Sequence, residues 1–271
     1  HFREAARLNP AAIESVLAVG YVLIAQGKRD KALRFFRDTV AKHPDSAAAH
    51  GGLGYALQSA GKPDEAVVSY RRAVELAPSD ASAHYNLATA LRNLHKPREA
   101  LAAMQHSLRL DPTSVLAHVG AAGVLLELEQ VDQAVSAARR AVELSPNSHP
   151  AAAQLAAALH AQGDLDEALR VNRRSIGIDP NDEGGHSNLV YAMLAHGPGD
   201  AQAVFDEHRA WGRRHADPLC PAEPRHDNDR RPDRPLRIGY VSAHFRKHAV
   251  SLFSEPLIAA HDHSAFQIAC Y

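Results

Sequence analysis

Proline returns at a fixed interval along this chain, and that interval restricts what it can fold into more than any other feature. Pro10, Pro44, Pro78, Pro112, Pro146 and Pro180 each stand 34 residues after the last. One template fills the intervals, clearest from Ala47 to Pro78, AAAHGGLGYALQSAGKPDEAVVSYRRAVELAP. A sequence that repeats itself this way cannot bury an apolar face within one unit. Each unit must cover the face of its neighbour, which makes the chain a stack.

With the proline as position 32, position 20 is Ala32, Ala66, Ala100, Ala134 and Ala168, and position 8 is Gly20, Gly54, Ala88, Ala122 and Ala156. Two antiparallel helices approach closely only where neither carries bulk at the crossing. Larger residues surround that crossing: Leu23, Leu57, Leu91, Leu125 and Leu159 at position 11, and Phe2, Phe36, Tyr70 and Met104 at position 24. Asp45, Ser79, Thr113, Asn147 and Asn181 follow the prolines and are expected to cap the first helix of each pair. Gly27, Gly61 and Gly163 fall where that helix must end in a left-handed residue, and Pro63 and Pro97 fall in the first turn of the second helix. Together these positions resemble the tetratricopeptide (TPR) repeat, a helix–turn–helix unit of the same length.

Five whole repeats run from Ile13 to Pro180, and His1–Pro10 matches the last third of an earlier one. A sixth begins at Glu183 but decays, with Val190 at position 8 and Gln202 at position 20. A degenerate last repeat is what caps a solenoid. Ala201–His215 is expected to form a further amphipathic helix, with Val204, His208, Trp211 and His215 on one side and Trp211 docking it on its neighbour. His50, His84, His118 and His186 share position 4, where packing rather than metal ligation is expected, because one solenoid step is too long for two of them to share an ion. No metal site is expected.

The charge balance, Lys+Arg 30 against Asp+Glu 31, gives no electrostatic footprint for nucleic acid or an anionic membrane. No apolar run reaches the ~18 residues of a membrane span, and the N-terminus has no signal-peptide pattern. Cys220 and Cys270 read as free thiols, so a cytoplasmic location is expected. Asp217–Pro235 carries five prolines and alternating arginine and aspartate, the composition of a solvated linker. At Leu236 the texture changes to LRIGYVS, a buried parallel-strand pattern; a loop AHFRKHA, a helix over Val250–Ala260 and a second strand at Phe266–Tyr271 complete a βαβ unit. Two strands bury too little to stand alone, so a continuation beyond Tyr271 or a partner chain is expected. The domains are therefore read as a TPR superhelix over 1–215, a linker over 216–235, and the start of an α/β domain over 236–271.

The repeat array, the helix around FDEHRAWGRRHA, the Arg/Pro linker and LRIGYVSAHFRKH stand in an order that resembles the O-GlcNAc transferase and SPINDLY-like family of protein glycosyltransferases. The resemblance implies a mainly α fold, a TPR solenoid leading into the first βαβ of a Rossmann-like domain of the two-domain glycosyltransferase (GT-B) type. It implies an inverting enzyme that moves GlcNAc from UDP-GlcNAc to serine or threonine of a protein, with no cofactor. The groups that would hold the donor diphosphate lie outside this sequence, so the piece given is expected to bind no UDP usefully. On the family pattern, His248 is the catalytic base or a contact to sugar and acceptor. Its loop follows the end of a parallel strand, where open α/β sheets bind ligands, and imidazole titrates near neutral pH. His244, standing where the family has aspartate, is an active-site loop residue; Ala249 stands where a proline commonly follows.

The same family holds extended acceptor peptides on an asparagine array at position 6 of the concave face. Here position 6 is Ala18, Gly52, Asn86, Gly120, Gln154 and Asn188, which leaves Asn86, Gln154 and Asn188 as acceptor-binding candidates. Two alternatives stay open: a TPR peptide-binding scaffold without catalysis, and a related transferase using O-fucose or an asparagine acceptor.

Overall fold

The computed structural model describes residues 13–195, 201–219, 236–240 and 266–270. The chain divides into two units between Leu219 and Cys220. In the first, helices come in pairs: α1 (Ile13–Ala25) with α2 (Arg29–Lys42), α3 (Ala47–Ser59) with α4 (Pro63–Leu76), and α5 (Ala81–Asn93) with α6 (Pro97–Leu110). The series continues with α7 (Val115–Glu127) and α8 (Val131–Leu144), α9 (His149–Gln162) and α10 (Leu165–Ile178), then α11 (Glu183–Ala195) and α12 (Ala201–Trp211). Each second helix also packs on the first helix of the next pair, and successive first helices from α1 to α9 touch one another, whereas no two successive second helices pack as closely. The first helices therefore form the inner layer of a mainly helical TPR solenoid. None of the described helices is long and apolar enough to cross a membrane.

The crossing is as tight as the small residues allow. Ala32, Ala66, Ala88, Ala100, Ala122, Ala134 and Ala168 are fully buried, and Phe36, Tyr70 and Met104 are buried beside them. Burying one such large side chain contributes about 1.5–3 kcal/mol.

The caps differ from expectation by one residue. Ser46, Ser114 and Ser148 have extended backbone and accept hydrogen bonds from the amides of Ala49, Ala117 and Ala151; Asp80 accepts from Ser82. Asp182 accepts likewise from Gly185. An N-cap must sit immediately before the first helical residue so that its oxygen reaches the second or third amide. Asp45, Ser79, Thr113, Asn147 and Asn181 lie one position too early, and the amides of Thr113 and Asn181 instead close turns on Asp111 and Asp179.

Among the described residues, the carbonyl of each repeat-ending proline lies at a junction between repeats and finds a donor. His50, His84 and His118 give their Nε2 protons to the carbonyls of Pro44, Pro78 and Pro112 at 2.9, 2.9 and 3.0 Å. Thus the position-4 histidines do more than pack. In the fifth repeat position 4 is Ala152, and Arg174 reaches the carbonyl of Pro146 at 3.0 Å. In the sixth, Arg214 takes that of Pro180 at 3.2 Å, leaving His186 to meet Glu207 Oε1 at 2.7 Å and His215 Nε2 at 3.1 Å.

These contacts dock the last helix. The Trp211 indole donates to Ser187 Oγ at 3.0 Å, and Ala203 and Val204 pack on Leu189 and Met193. Helix α12 ends at Trp211, and a π-helical turn over Gly212–Ala216 carries the chain on. His208, expected on the docking side, is exposed, and its ring bonds back to the Val204 carbonyl. In the second unit, β1 (Leu236–Tyr240) and β2 (Phe266–Cys270) pair in parallel, Leu236 opposite Phe266 and Tyr240 opposite Cys270. The expected helix between them, and His1–Pro10, lie outside the described residues.

Gly27, Gly61 and Gly163 end the first helices with φ of +70°, +74° and +88° as expected; the same place in the third and fourth repeats is held by His95 at +55° and Glu129 at +59°. A side chain there costs ~1–2 kcal/mol, which exceeds the ~0.5–1 kcal/mol entropy cost of glycine. His95→Gly and Glu129→Gly should each raise stability by roughly 0.5–1 kcal/mol. Thermal or urea melts showing no gain in either variant would contradict this.

Candidate functional site

The inner layer presents position 6 and, one helical turn on, position 9. Asn86 on α5 and Gln154 on α9 are half-buried, Asn188 on α11 is exposed, and among the described residues none has a side-chain hydrogen-bond partner. Their carboxamides are open to a backbone carbonyl or amide. The gaps in the series have a packing cause. A Cβ at Gly52 would strike the Phe36 ring, and one at Gly120 would meet the terminal methyl of Met104. These wedges from the preceding second helix occupy the space a position-6 side chain would need.

Position 9 carries Tyr21, Tyr55 and Tyr191, all exposed. The rings of Tyr21 and Tyr55 lie 5.9 Å apart, and Tyr21 also touches the Phe36 ring. Burial raises the Tyr21 phenol above its ordinary value, with a smaller push from Tyr55; burial raises Tyr70 further, helped by Tyr21 and Tyr55. The amide pattern does not point to these tyrosines, although Tyr21 and Tyr55 stand 34 residues apart, one repeat length.

Of the three amide candidates, Asn188 lines a cleft. A space of about 190 Å³ opens between α9, α10 and α11, lined by Ala156, His160, Asn172, Asn188, Tyr191 and Ala192. Asn86 and Gln154 stand apart from it. His244 and His248 lie outside the described residues. Among the described residues no group of three or more histidine, cysteine, aspartate or glutamate side chains could hold a metal ion.

Tetratricopeptide-repeat models match residues 17–81 and 85–149, and again 125–189. The chain belongs to the tetratricopeptide-repeat family, and part of it is similar to O-GlcNAc transferase and SPINDLY-named proteins. A stretch of 73 residues is 40% identical to a Solanum lycopersicum protein named "Probable UDP-N-acetylglucosamine--peptide N-acetylglucosaminyltransferase SPINDLY", covering 27% of this chain and 8% of that protein. An Oryza sativa protein of the same name is 41% identical over 68 residues, 25% of this chain and 7% of that one. Among solved structures, a mutant O-GlcNAc transferase of Thermobaculum terrenum superposes with a TM-score of 0.57 at 30% identity, over 72% of this chain and 37% of that chain. The match thus spans under a tenth of the plant relatives and little over a third of the bacterial enzyme.

Two outcomes test this geometry. Gly52→Asn, which would restore the amide series, should destabilise the stack by about 1–3 kcal/mol through overpacking. Combined with Phe36→Ala it should cost less than the two single changes summed; strict additivity in urea melts would refute the wedge. The raised phenols act at high pH: their contribution is complete below about pH 10, the ordinary tyrosine value, and is lost as pH climbs through the higher folded-state values. Tyr70→Phe should therefore move the alkaline unfolding midpoint upward, and an unchanged midpoint counts against the assignment.

Proposed function

We propose that this chain is the acceptor-selecting solenoid and the opening of the catalytic region of a protein O-glycosyltransferase, which transfers GlcNAc from UDP-GlcNAc to serine or threonine. The observation that carries the reading is 30% identity to an O-GlcNAc transferase over 72% of this chain, with the plant SPINDLY-named proteins agreeing over a shorter stretch. The parallel pairing of β1 and β2 supports the rest, because parallel neighbours require a crossover connection, usually helical, and begin a Rossmann-like layer. In this reading extended peptides lie along the inner layer, held by Asn86, Gln154 and Asn188. His248 then removes the acceptor hydroxyl proton or positions sugar and acceptor, with His244 in the same loop. The nucleotide sugar is bound mainly by protein beyond this sequence, and a cytoplasmic location belongs to the same proposal.

A second reading, a peptide-binding scaffold without chemistry, is favoured by one fact: the plant matches are confined to about a quarter of this chain and lie within a repeat protein. One experiment separates the two. The intact protein is incubated with UDP-GlcNAc and a serine/threonine peptide library, and products are read by mass spectrometry. A GlcNAc-sized mass gain is expected, falling roughly 10²–10⁴-fold in kcat for His248→Ala with peptide affinity retained. The triple change Asn86→Ala, Gln154→Ala, Asn188→Ala should raise KM instead. No product from the intact protein, with peptide still bound, leaves the scaffold reading in place.

A further inference from the structure

Position 24 is the wedge of this solenoid: Phe36, Tyr70 and Met104 occupy it in the first three repeats and are all but fully buried. In the fifth repeat the same place holds Asn172, 4% exposed. The fourth repeat carries the smaller Ala138 there, fully buried, with α7 and α9 in close contact; beside Asn172 the first helices part instead. The contact between first helices, which recurs from α1 to α9, falls away between α9 and α11. The cleft of about 190 Å³ lies there.

Its chemistry is specific. The Asn172 carboxamide lines the cleft and has no hydrogen-bond partner among the described residues, so its donor and acceptor are open to a guest. His160 Nε2 is buried without a partner. Across the opening stands the Asn188 carboxamide, and the Tyr191 ring lies 5.4 Å from the His160 ring, inclined by 41°. No lining side chain is an acid or a strong base.

Resting on the reading that an extended peptide occupies the inner layer, we propose that this cleft is a side-chain pocket for a carboxamide, an asparagine or glutamine of the bound peptide. A carboxamide presents a donor and an acceptor in one plane and can exchange two hydrogen bonds with Asn172 while Asn188 serves its remaining atoms. Its flat face can lie against the exposed Tyr191 ring, which the His160 ring backs. A carboxylate or ammonium would lose its hydration with no opposite charge to receive it. An aliphatic chain would leave Asn172 unpaired. Because side chains of an extended strand alternate in direction, one guest enters here while its neighbours face away. The pocket thus sets sequence preference, whereas Asn86 and Gln154 read backbone.

The test is an amide-detected NMR titration of the protein with an extended peptide carrying one central glutamine, and with its glutamate and norleucine counterparts. The glutamine peptide should shift the side-chain amide signals of Asn172 and Asn188 saturably and bind at least tenfold tighter than the other two. Asn172→Met should abolish the preference, and its melt, read beside that of Asn188→Ala, shows whether the stack accepts a thioether opposite Asn188 where Met104 faces Gly120. Asn188→Ala, at an exposed position, should weaken it several-fold without changing the melt. Equal binding of the three peptides, or an unaltered preference in Asn172→Met, overturns the pocket. If Asn86 and Gln154 signals shift with all three peptides while Asn172 stays silent, the peptide-binding layer stands and the pocket falls. Should only Asn172 and Asn188 respond, the pocket stands and the backbone-reading role of the other two amides falls.

Discussion

Close approach of the two helices in each pair governs this molecule. Where both carry alanine or glycine the backbones meet, and in the first three repeats the volume left beside the crossing is filled by one large side chain from the second helix. Phe36 shows how completely the pieces depend on each other: its ring lies over Gly20 of its own repeat and Gly52 of the next. A methyl group on either glycine would displace it. The repeat therefore shares its core with its neighbour rather than owning one, which is why such units exist only in series. Phe36 and Met104 take the place of the position-6 side chain of the next repeat, whereas beside Tyr70 that position still carries Asn86.

The junctions between repeats impose a second demand, that a proline carbonyl at each turn be given a donor. Three repeats use a position-4 histidine, the fifth uses Arg174 and the sixth uses Arg214. The change at the end has a consequence for capping. Once Arg214 serves Pro180, His186 turns to Glu207 and His215, two residues outside the repeat pattern, and so holds the last helix against the stack. Ion pairs between second helices, Arg37 with Glu65 and Arg71 with Glu99, add little, since their side chains are about half exposed; Arg139 with Glu167 is bidentate and less exposed.

Much of this was legible because the repeat multiplies each signal. The small crossing residues, the left-handed glycines and the prolines opening α4 and α6 all stand where the periodic reading puts them. The caps were missed by one residue because polar residues occupy two successive positions, and composition cannot decide which of Asp45 and Ser46 precedes the first helical turn. Gly52 and Gly120 looked like breaks in an amide series, but their cause is a side chain half a repeat earlier. Periodicity shows which positions recur and is silent about which residue from the adjoining repeat fills the space above them. His244 and His248 are legible only through resemblance, since no repeat surrounds them.

Asn172 marks where the two demands of the fold part. A filled wedge adds buried apolar surface and closes the inner layer, as at Phe36; an open one gives up that surface and exposes polar groups between first helices. Such an opening is tolerable only where neighbouring contacts stay intact. Here Ala156 and Ala168 keep the crossing of α9 with α10, and Leu169 joins Leu189 and Met193 in the cluster that receives the last helix. The opening at Asn172 is thus bounded by two well-packed regions. In a solenoid, recognition can be written where one wedge is short and polar, because the periodic core on both sides holds the gap in shape.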